Sequence, residues 1–228
     1  MYRLADMYKD IKQRSMKIGW RLHSKLYPNS LAVEYMEHLP DEVRTRQSRD
    51  ATNTSIKFPN SNFTLLLELV KERAKLYPEL IPNNKTIVVH LRTGDVVDRE
   101  ELYTLEELLG NYTRYNRPLS YYDEMLYNIS SLNINKSEVL LVTAWHKIMD
   151  HTRSVMYINE IIKHIQYKFG FNVSLRINQN PDQDFILMCH SKYFIKCGGG
   201  FSRLISRMVT ALGGTVFGQQ YEIYKSHK

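Results

Sequence analysis

Two cysteines in 228 residues, Cys189 and Cys197, are too few for a disulfide framework. Both stand in apolar surroundings and lack the spacing of a zinc ligand set, so buried free thiols are expected. Nowhere does the chain approach the ~20 consecutive apolar residues that a membrane-spanning helix needs. No signal-like apolar run follows Met1 either. The expectation is a soluble protein, cytoplasmic in preference to the secretory lumen. Internal repeats are missing as well. Lysine and arginine give a formal charge of +7 but are dispersed along the chain. Without a basic run there is no nucleic-acid arm. The charge suits an anionic partner, such as a nucleotide diphosphate, nucleic acid or acidic glycan, without choosing among them.

What is present is ordinary for a globular chain: 43% apolar and 24% charged residues. One excess stands out. Asn-x-Ser/Thr occurs at Asn53, Asn62, Asn84, Asn111, Asn128, Asn135 and Asn172, seven of the 15 asparagines. Chance would give about two. A lumenal glycoprotein is one reading. Helix caps and turns in an Asn-rich composition are the other. Asn84 and Asn172 each open an expected strand, an awkward place for a glycan, which favours the second reading.

The chain changes character near residue 81. Residues 1–80 are polar and poor in strand signals, with a loose helix over 2–26, a long loop over 40–60 and a firm helix from Phe63 to Tyr77. Pro78 and Pro82 end that helix. From residue 81 to 228, strands and helices alternate. Strands are expected at Thr86–Val89, Glu138–Thr143, Val173–Ile177, Tyr193–Lys196 and Thr215–Phe217. Helices are expected at Leu119–Leu132, Arg153–Phe169, Asp182–His190 and Phe201–Leu212. In the long helix, Val155, Ile158, Ile161, Ile162 and Ile165 are expected to face inward. The alternation predicts an α/β fold with a doubly wound, mostly parallel Rossmann-like sheet behind a helical N-terminal segment.

Ligands of such sheets bind beyond the carboxyl ends of the strands. After strand 86–89 come His90, Arg92, Thr93, Gly94 and Asp95, then Asp98, Arg99 and Glu100. Arginine offers a planar fork that grips a diphosphate with two bonds. Asp95 can orient Arg92, and His90 can stack on a nucleoside. After strand 173–177, Asp182 and Asp184 form an Asp-x-Asp pair. It reads either as a divalent-cation site on a donor diphosphate or as acidic residues favoured at a helix start. After strand 193–196, Gly198-Gly199-Gly200-Phe201-Ser202-Arg203 places glycines ahead of a helix. Backbone N–H groups there can meet phosphate, with Ser202 and Arg203 as further donors. The spacing is not the dinucleotide fingerprint. Tyr103, Tyr121, Tyr122, Trp145 and His146 are candidates to line an acceptor groove, although core packing is the commoner fate of Tyr121 and Tyr122.

His90-x-Arg92-x-Gly94-Asp95 after a buried strand resembles the peptide shared by the alpha-1,2-, alpha-1,6- and protein O-fucosyltransferases, His-x-Arg-x-(Gly/Thr)-Asp. The stretch from Asp184 through Phe194-Ile195-Lys196 to Gly200-Phe201-Ser202 is similar to that clan's second motif, so the resemblance spans about residues 85–217. It implies a GT-B-like donor domain over 81–228, with 1–80 as an abbreviated acceptor-side element. It also implies a metal-independent, inverting transfer, in which L-fucose passes from GDP-fucose to a glycan or glycoprotein hydroxyl. By that resemblance Arg92 binds the β-phosphate, and His90 and Asp184 contact the guanine nucleoside. Gly200, Phe201 and Ser202 then hold the phosphates, while Glu100 is the base and Asp98 its nearby competitor. The second motif usually carries Ser or Thr where this chain has Gly199 and Gly200, which shifts phosphate contact to the backbone. No metal or other cofactor is expected, and no nucleic-acid partner. Two alternatives stand beside this reading: another nucleotide sugar, such as a UDP-sugar used with a cation at Asp182 and Asp184, or a non-catalytic nucleotide-sugar- or nucleic-acid-binding module.

Overall fold

The computed structural model describes residue 31 and residues 60–98, 103–113, 115–132, 138–145 and 150–218. The helix expected over 2–26 and most of the loop expected over 40–60 lie outside them. The chain divides into two compact units, Met1–Leu80 with Asn180–Ile186, and Ile81–Gln179 with Leu187–Lys228.

In the first unit, helix α1 (Asn60–Leu76) buries Leu66, Leu69 and Val70 on one side. A 3-10 turn at Pro78–Leu80 follows, because proline cannot continue the helical hydrogen bonding. The returning segment opens a helix at Pro181. Its first turn is capped by Asn180, whose Oδ1 accepts from Asp182 N at 2.9 Å. The Asp182 carboxylate accepts from Leu31 N at 2.6 Å.

The second unit carries a five-stranded sheet in the order β3-β2-β1-β4-β5, with every neighbouring pair parallel. Its strands are β1 (Thr86–His90), β2 (Glu138–Thr143), β3 (Asn172–Ile177), β4 (Tyr193–Ile195) and β5 (Thr215–Phe217). All five residues of β1 are buried. A β-branched run with no polar alternation is what a central strand covered on both faces requires. Register places Ile87 beside Val139 on one flank and Tyr193 on the other.

Between strands lie α2 (Leu105–Gly110), α3 (Leu119–Ser130), α4 (Thr152–Phe169), α5 (Pro181–Cys189) and α6 (Gly200–Ala211). Ile87, Val89, Val139, Leu141 and Ile195 form one core with Leu108 of α2, Tyr121, Met125 and Ile129 of α3, and Ile158, Ile161 and Ile165 of α4. Gly170 ends α4 in the left-handed region at φ 67°. Val155 is the exception to the expected inward face: it is 44% exposed, and Tyr157, 1% exposed, occupies the core in its place. The 3.6-residue period explains this, since Tyr157, Ile158, Ile161 and Ile165 share a stripe that Val155 misses. The short α2 was not expected from periodicity. A capping box starts it, with Thr104 accepting from Glu107 N and the Glu107 carboxylate accepting from Thr104 N.

Both cysteines are buried and free, and burial pushes each thiol above its usual range. No helix among the described residues is long and apolar enough to cross a membrane.

Candidate functional site

The chain runs outward from β1 through β2 to β3, then returns to the other side of β1 for β4 and β5. The connections therefore diverge between β1 and β4. A crevice at such a switch point is where doubly wound sheets take ligands. Its two lips are the loops after β1 and after β4, the first and third that the sequence marks.

The first lip is tied down residue by residue. Thr93 is buried, and its hydroxyl lies 2.7 Å from that of Thr143, joining the ends of β1 and β2. Gly94 opens a 3-10 turn with φ 68°, and its carbonyl accepts from Val97 N and Asp98 N. Gly94 N donates to Ser154 Oγ at 2.9 Å, and Ser154 N donates back to Asp98 Oδ1 at 2.8 Å. The Asp98 side chain is only 1% exposed, and its second oxygen lies 2.9 Å from His151 Nδ1. Asp98 thus caps the N-terminus of α4 from a distant loop, with both oxygens engaged. Arg92 donates from Nη2 to Asp95 Oδ1 at 2.7 Å. Its Nε is buried and has no hydrogen-bond partner among the described residues. A buried, unmet guanidinium N–H is costly unless something acidic meets it.

The second lip begins at buried Lys196, whose carbonyl accepts from the Tyr121 hydroxyl at 2.6 Å. Ser202 is fully buried, and its Oγ accepts from Cys197 N at 3.0 Å. Its hydroxyl thus helps to hold the turn together. Gly199 is the N-cap of α6 at φ 98° and ψ 171°, and having no side chain it supplies no capping bond of its own. The next N–H groups, of Gly200, Phe201 and Ser202, carry the positive end of the helix dipole. The Gly199 backbone region is essentially closed to residues with a Cβ. Space is not the obstacle, because a Cβ at this position would meet nothing closer than a Tyr115 ring carbon at an ordinary 3.5 Å. Gly199→Ala is therefore expected to lower stability by about 1–3 kcal/mol through backbone strain. Chemical denaturation checks it, and an unchanged midpoint would refute the strain.

The lips meet where the Phe201 ring stands edge-on to His90, with centroids 5.6 Å apart and planes at 71°. A third segment, unmarked in the sequence, grips both. Buried Asn116 donates from Nδ2 to the Arg92 carbonyl at 2.7 Å. The neighbouring Tyr115 carbonyl accepts from Gly198 N at 3.2 Å and from Cys197 Sγ at 2.8 Å. An Asn followed by Arg-Pro just before α3 is the only local signal for it.

The remaining expected residues fall elsewhere. Glu100 and His146 lie outside the described residues. Asp184 is buried on α5 and belongs to the first unit. Arg203 is half-buried in the first turn of α6. Tyr121 and Tyr122 sit in the core and do not line a groove, the outcome burial of large aromatic rings favours. Tyr103 is 40% exposed. Trp145 stacks on His151, with centroids 4.8 Å apart and planes at 26°. Its backbone N–H is anchored on Asn178 Oδ1 at 2.9 Å. Among the described residues, no three His, Cys, Asp or Glu side chains converge as metal ligands.

Sheet order and paired lips define a Rossmann-like α/β unit. No protein-family model matches the sequence, and no curated protein matches it. Solved structures do. A crystal structure of POFUT1 in complex with GDP is 17% identical over 84% of this chain and 61% of its own, with a TM-score of 0.42. POFUT1 in complex with GDP-fucose is 16% identical over 80% of this chain and 62% of its own, at 0.39. A third structure, another crystal form with GDP, is 18% identical over 69% of this chain and 50% of its own, at 0.39. The chain thus spans half to three-fifths of the length of these structures. At such identity the likeness is one of fold alone.

Proposed function

We propose that the second unit binds a nucleotide-sugar donor, with GDP-fucose first among candidates, for transfer of the sugar to a glycan or glycoprotein hydroxyl. The observation that carries this is Arg92. Asp95 holds one end of its guanidinium at the switch point, while Nε is buried and meets no acceptor among the described residues. A diphosphate supplies the acceptor atoms that this fork lacks. Across the crevice, the N-terminus of α6, begun by a glycine, turns its first backbone N–H groups to the same anion. His90 and Phe201 put aromatic edges beside it. The resemblance of His90-x-Arg92-x-Gly94-Asp95 to the fucosyltransferase peptide points the same way.

In the transfer, negative charge grows on the departing diphosphate. Arg92 and the α6 N–H groups stabilise it there, the place where fixed donors contribute most to rate. Arg203 keeps its expected role as a further donor at the glycine loop, while Asp184, which lies in the first unit, is not part of this proposal.

A thermal-shift series tests the reading. GDP and GDP-fucose at about 100 times Kd should stabilise the protein by about 2.7 kcal/mol, and chelator should not diminish the effect. Stabilisation by UDP only, and only with a divalent cation, would instead support the Asp182 and Asp184 reading.

A further inference from the structure

Seven of the 15 asparagines head an Asn-x-Ser/Thr triplet, and for Asn84, Asn111, Asn128 and Asn172 the structure describes the side chain. We propose that Asn84, Asn128 and Asn172 carry N-linked glycans, which makes this chain a protein of the secretory lumen. The inference is independent of donor binding. It reverses the preference that the sequence gives to caps and turns.

Three observations carry it. First, all four asparagines are exposed, and among the described residues their side chains make no hydrogen bond. The cap and turn bonds belong to asparagines that head no triplet. Asn83 Oδ1 accepts from Lys85 N at 2.8 Å, Asn178 Oδ1 from Trp145 N at 2.9 Å, and Asn180 Oδ1 from Asp182 N at 2.9 Å. Buried Asn116 holds the Arg92 carbonyl. The local bonding that makes asparagine useful in turns and caps is thus done by others.

Second, three of the four share one end of the sheet. Asn84 lies in the turn just ahead of β1, and Asn172 is the first residue of β3. Helix α3 starts near Arg92, where Asn116 reaches the carboxyl end of β1, and leads back to the amino end of β2. Asn128 is in its last turn. Glycans there stand at the amino ends of the strands and leave the crevice at the carboxyl ends open. Asn111 differs: it is the C-cap of α2, next to the 112–117 segment that grips the lips, and the proposal does not include it.

Third, Asn172 lies on an edge. Among the described residues β3 ends the sheet order and pairs with β2 alone. An open edge invites pairing with another chain, and a bulky solvated group on it blunts that. Both cysteines are buried, so neither thiol stands open to an oxidising lumen.

In the modification, the asparagine amide nitrogen bonds to the anomeric carbon of a lipid-linked oligosaccharide diphosphate. The carbon–oxygen bond to the diphosphate breaks, its electron pair leaves with the diphosphate, and the amide nitrogen gives up one proton. The middle residues, Lys85, Ile129 and Val173, satisfy the requirement that proline be absent. The hydroxyl two residues on is needed before the chain folds, and afterwards it serves the fold. Ser130 Oγ donates to the Leu126 carbonyl at 2.8 Å, and Ser174 Oγ to Glu138 Oε1 at 2.9 Å.

The test is site occupancy in protein isolated from its own cells. Digestion with peptide N-glycosidase in heavy-oxygen water converts each glycosylated Asn to a labelled Asp, which peptide mass spectrometry reads. Label is expected at Asn84, Asn128 and Asn172, and none at exposed Asn159, which heads no triplet. A second arm expresses the chain in a eukaryotic host behind a cleavable secretion signal. Asn84→Gln, Asn128→Gln and Asn172→Gln should each lose one glycan step on a denaturing gel of whole-cell lysate, with the glycosidase-treated band unchanged. Such a gel reads folded and unfolded chain alike, so a variant that folds poorly still reports. A missing label at one position removes that site. Unlabelled asparagine at all three positions in the protein from its own cells overturns the proposal, and so does a signal-directed chain that glycosidase does not shift.

Discussion

Arg92→Ala is expected to weaken GDP binding by at least about 100-fold, or roughly 2.7 kcal/mol. Two charge-assisted hydrogen bonds to a diphosphate are worth about 1.5–3 kcal/mol each. The variant removes both, together with the group that Asp95 holds in place. Arg92→Lys keeps the charge but loses the planar fork, so it should recover only part of the affinity. The fold should survive, because Arg92 is a partly exposed loop residue outside the hydrophobic core. Calorimetric titration of the purified variants reads the effect. A GDP Kd within threefold of wild type for Arg92→Ala would remove the phosphate role.

The second large effect is on stability, from the core of the same unit. Ile161→Ala empties a fully buried position where α4 meets the sheet. Such truncations cost about 2–5 kcal/mol, because the cavity cannot fully collapse. For a domain of this size that corresponds to a fall of roughly 4–20 °C in melting temperature. Circular dichroism on heating measures it. If the melting temperature moved by less than 2 °C, α4 would not be packed as described. The two variants should separate cleanly: Arg92→Ala loses ligand and keeps stability, Ile161→Ala the reverse.

The contrast between these residues also marks how far the sequence alone could be read. Thr86 to Val89 was legible as a strand covered on both faces because burial on both sides leaves no room for polar alternation, and the folded strand runs one residue further, to His90. Gly170 was legible as a stop because a helix end in the left-handed region selects glycine. The loops that form the two lips were legible because alternation implies a parallel sheet, whose ligands bind beyond the carboxyl ends of its strands, whereas the strand order that makes them neighbours came from the fold. Val155 is apolar yet lies off the buried stripe of its helix, a position that residue type alone does not reveal. Helix α2 was missed although Thr104-x-x-Glu107 spells its cap, since six residues are too few to show a period.

What could not be read was the pairing across distance. Asn116 reaches Arg92, Gly94 reaches Ser154, and Asp98 reaches His151, over separations of 24, 60 and 53 residues. Nothing local distinguishes these side chains from ordinary polar loop residues. The Ser202 hydroxyl shows the same limit. Its place in the glycine motif suggests a ligand donor, but only the folded turn reveals that it faces Cys197 N.

One short piece of chain fixes the spacing of the crevice. The carbonyl of Tyr115 holds Gly198, and the next residue, Asn116, holds Arg92. Adjacent residues therefore act as a ruler between the two lips. Chemistry and gauge are thus encoded separately: the groups that would meet a ligand lie on the β1 and β4 loops, and the width they span is set from a third. Shifting Tyr115 and Asn116 along the chain would move one lip against the other while leaving the β1 and β4 loops themselves unchanged.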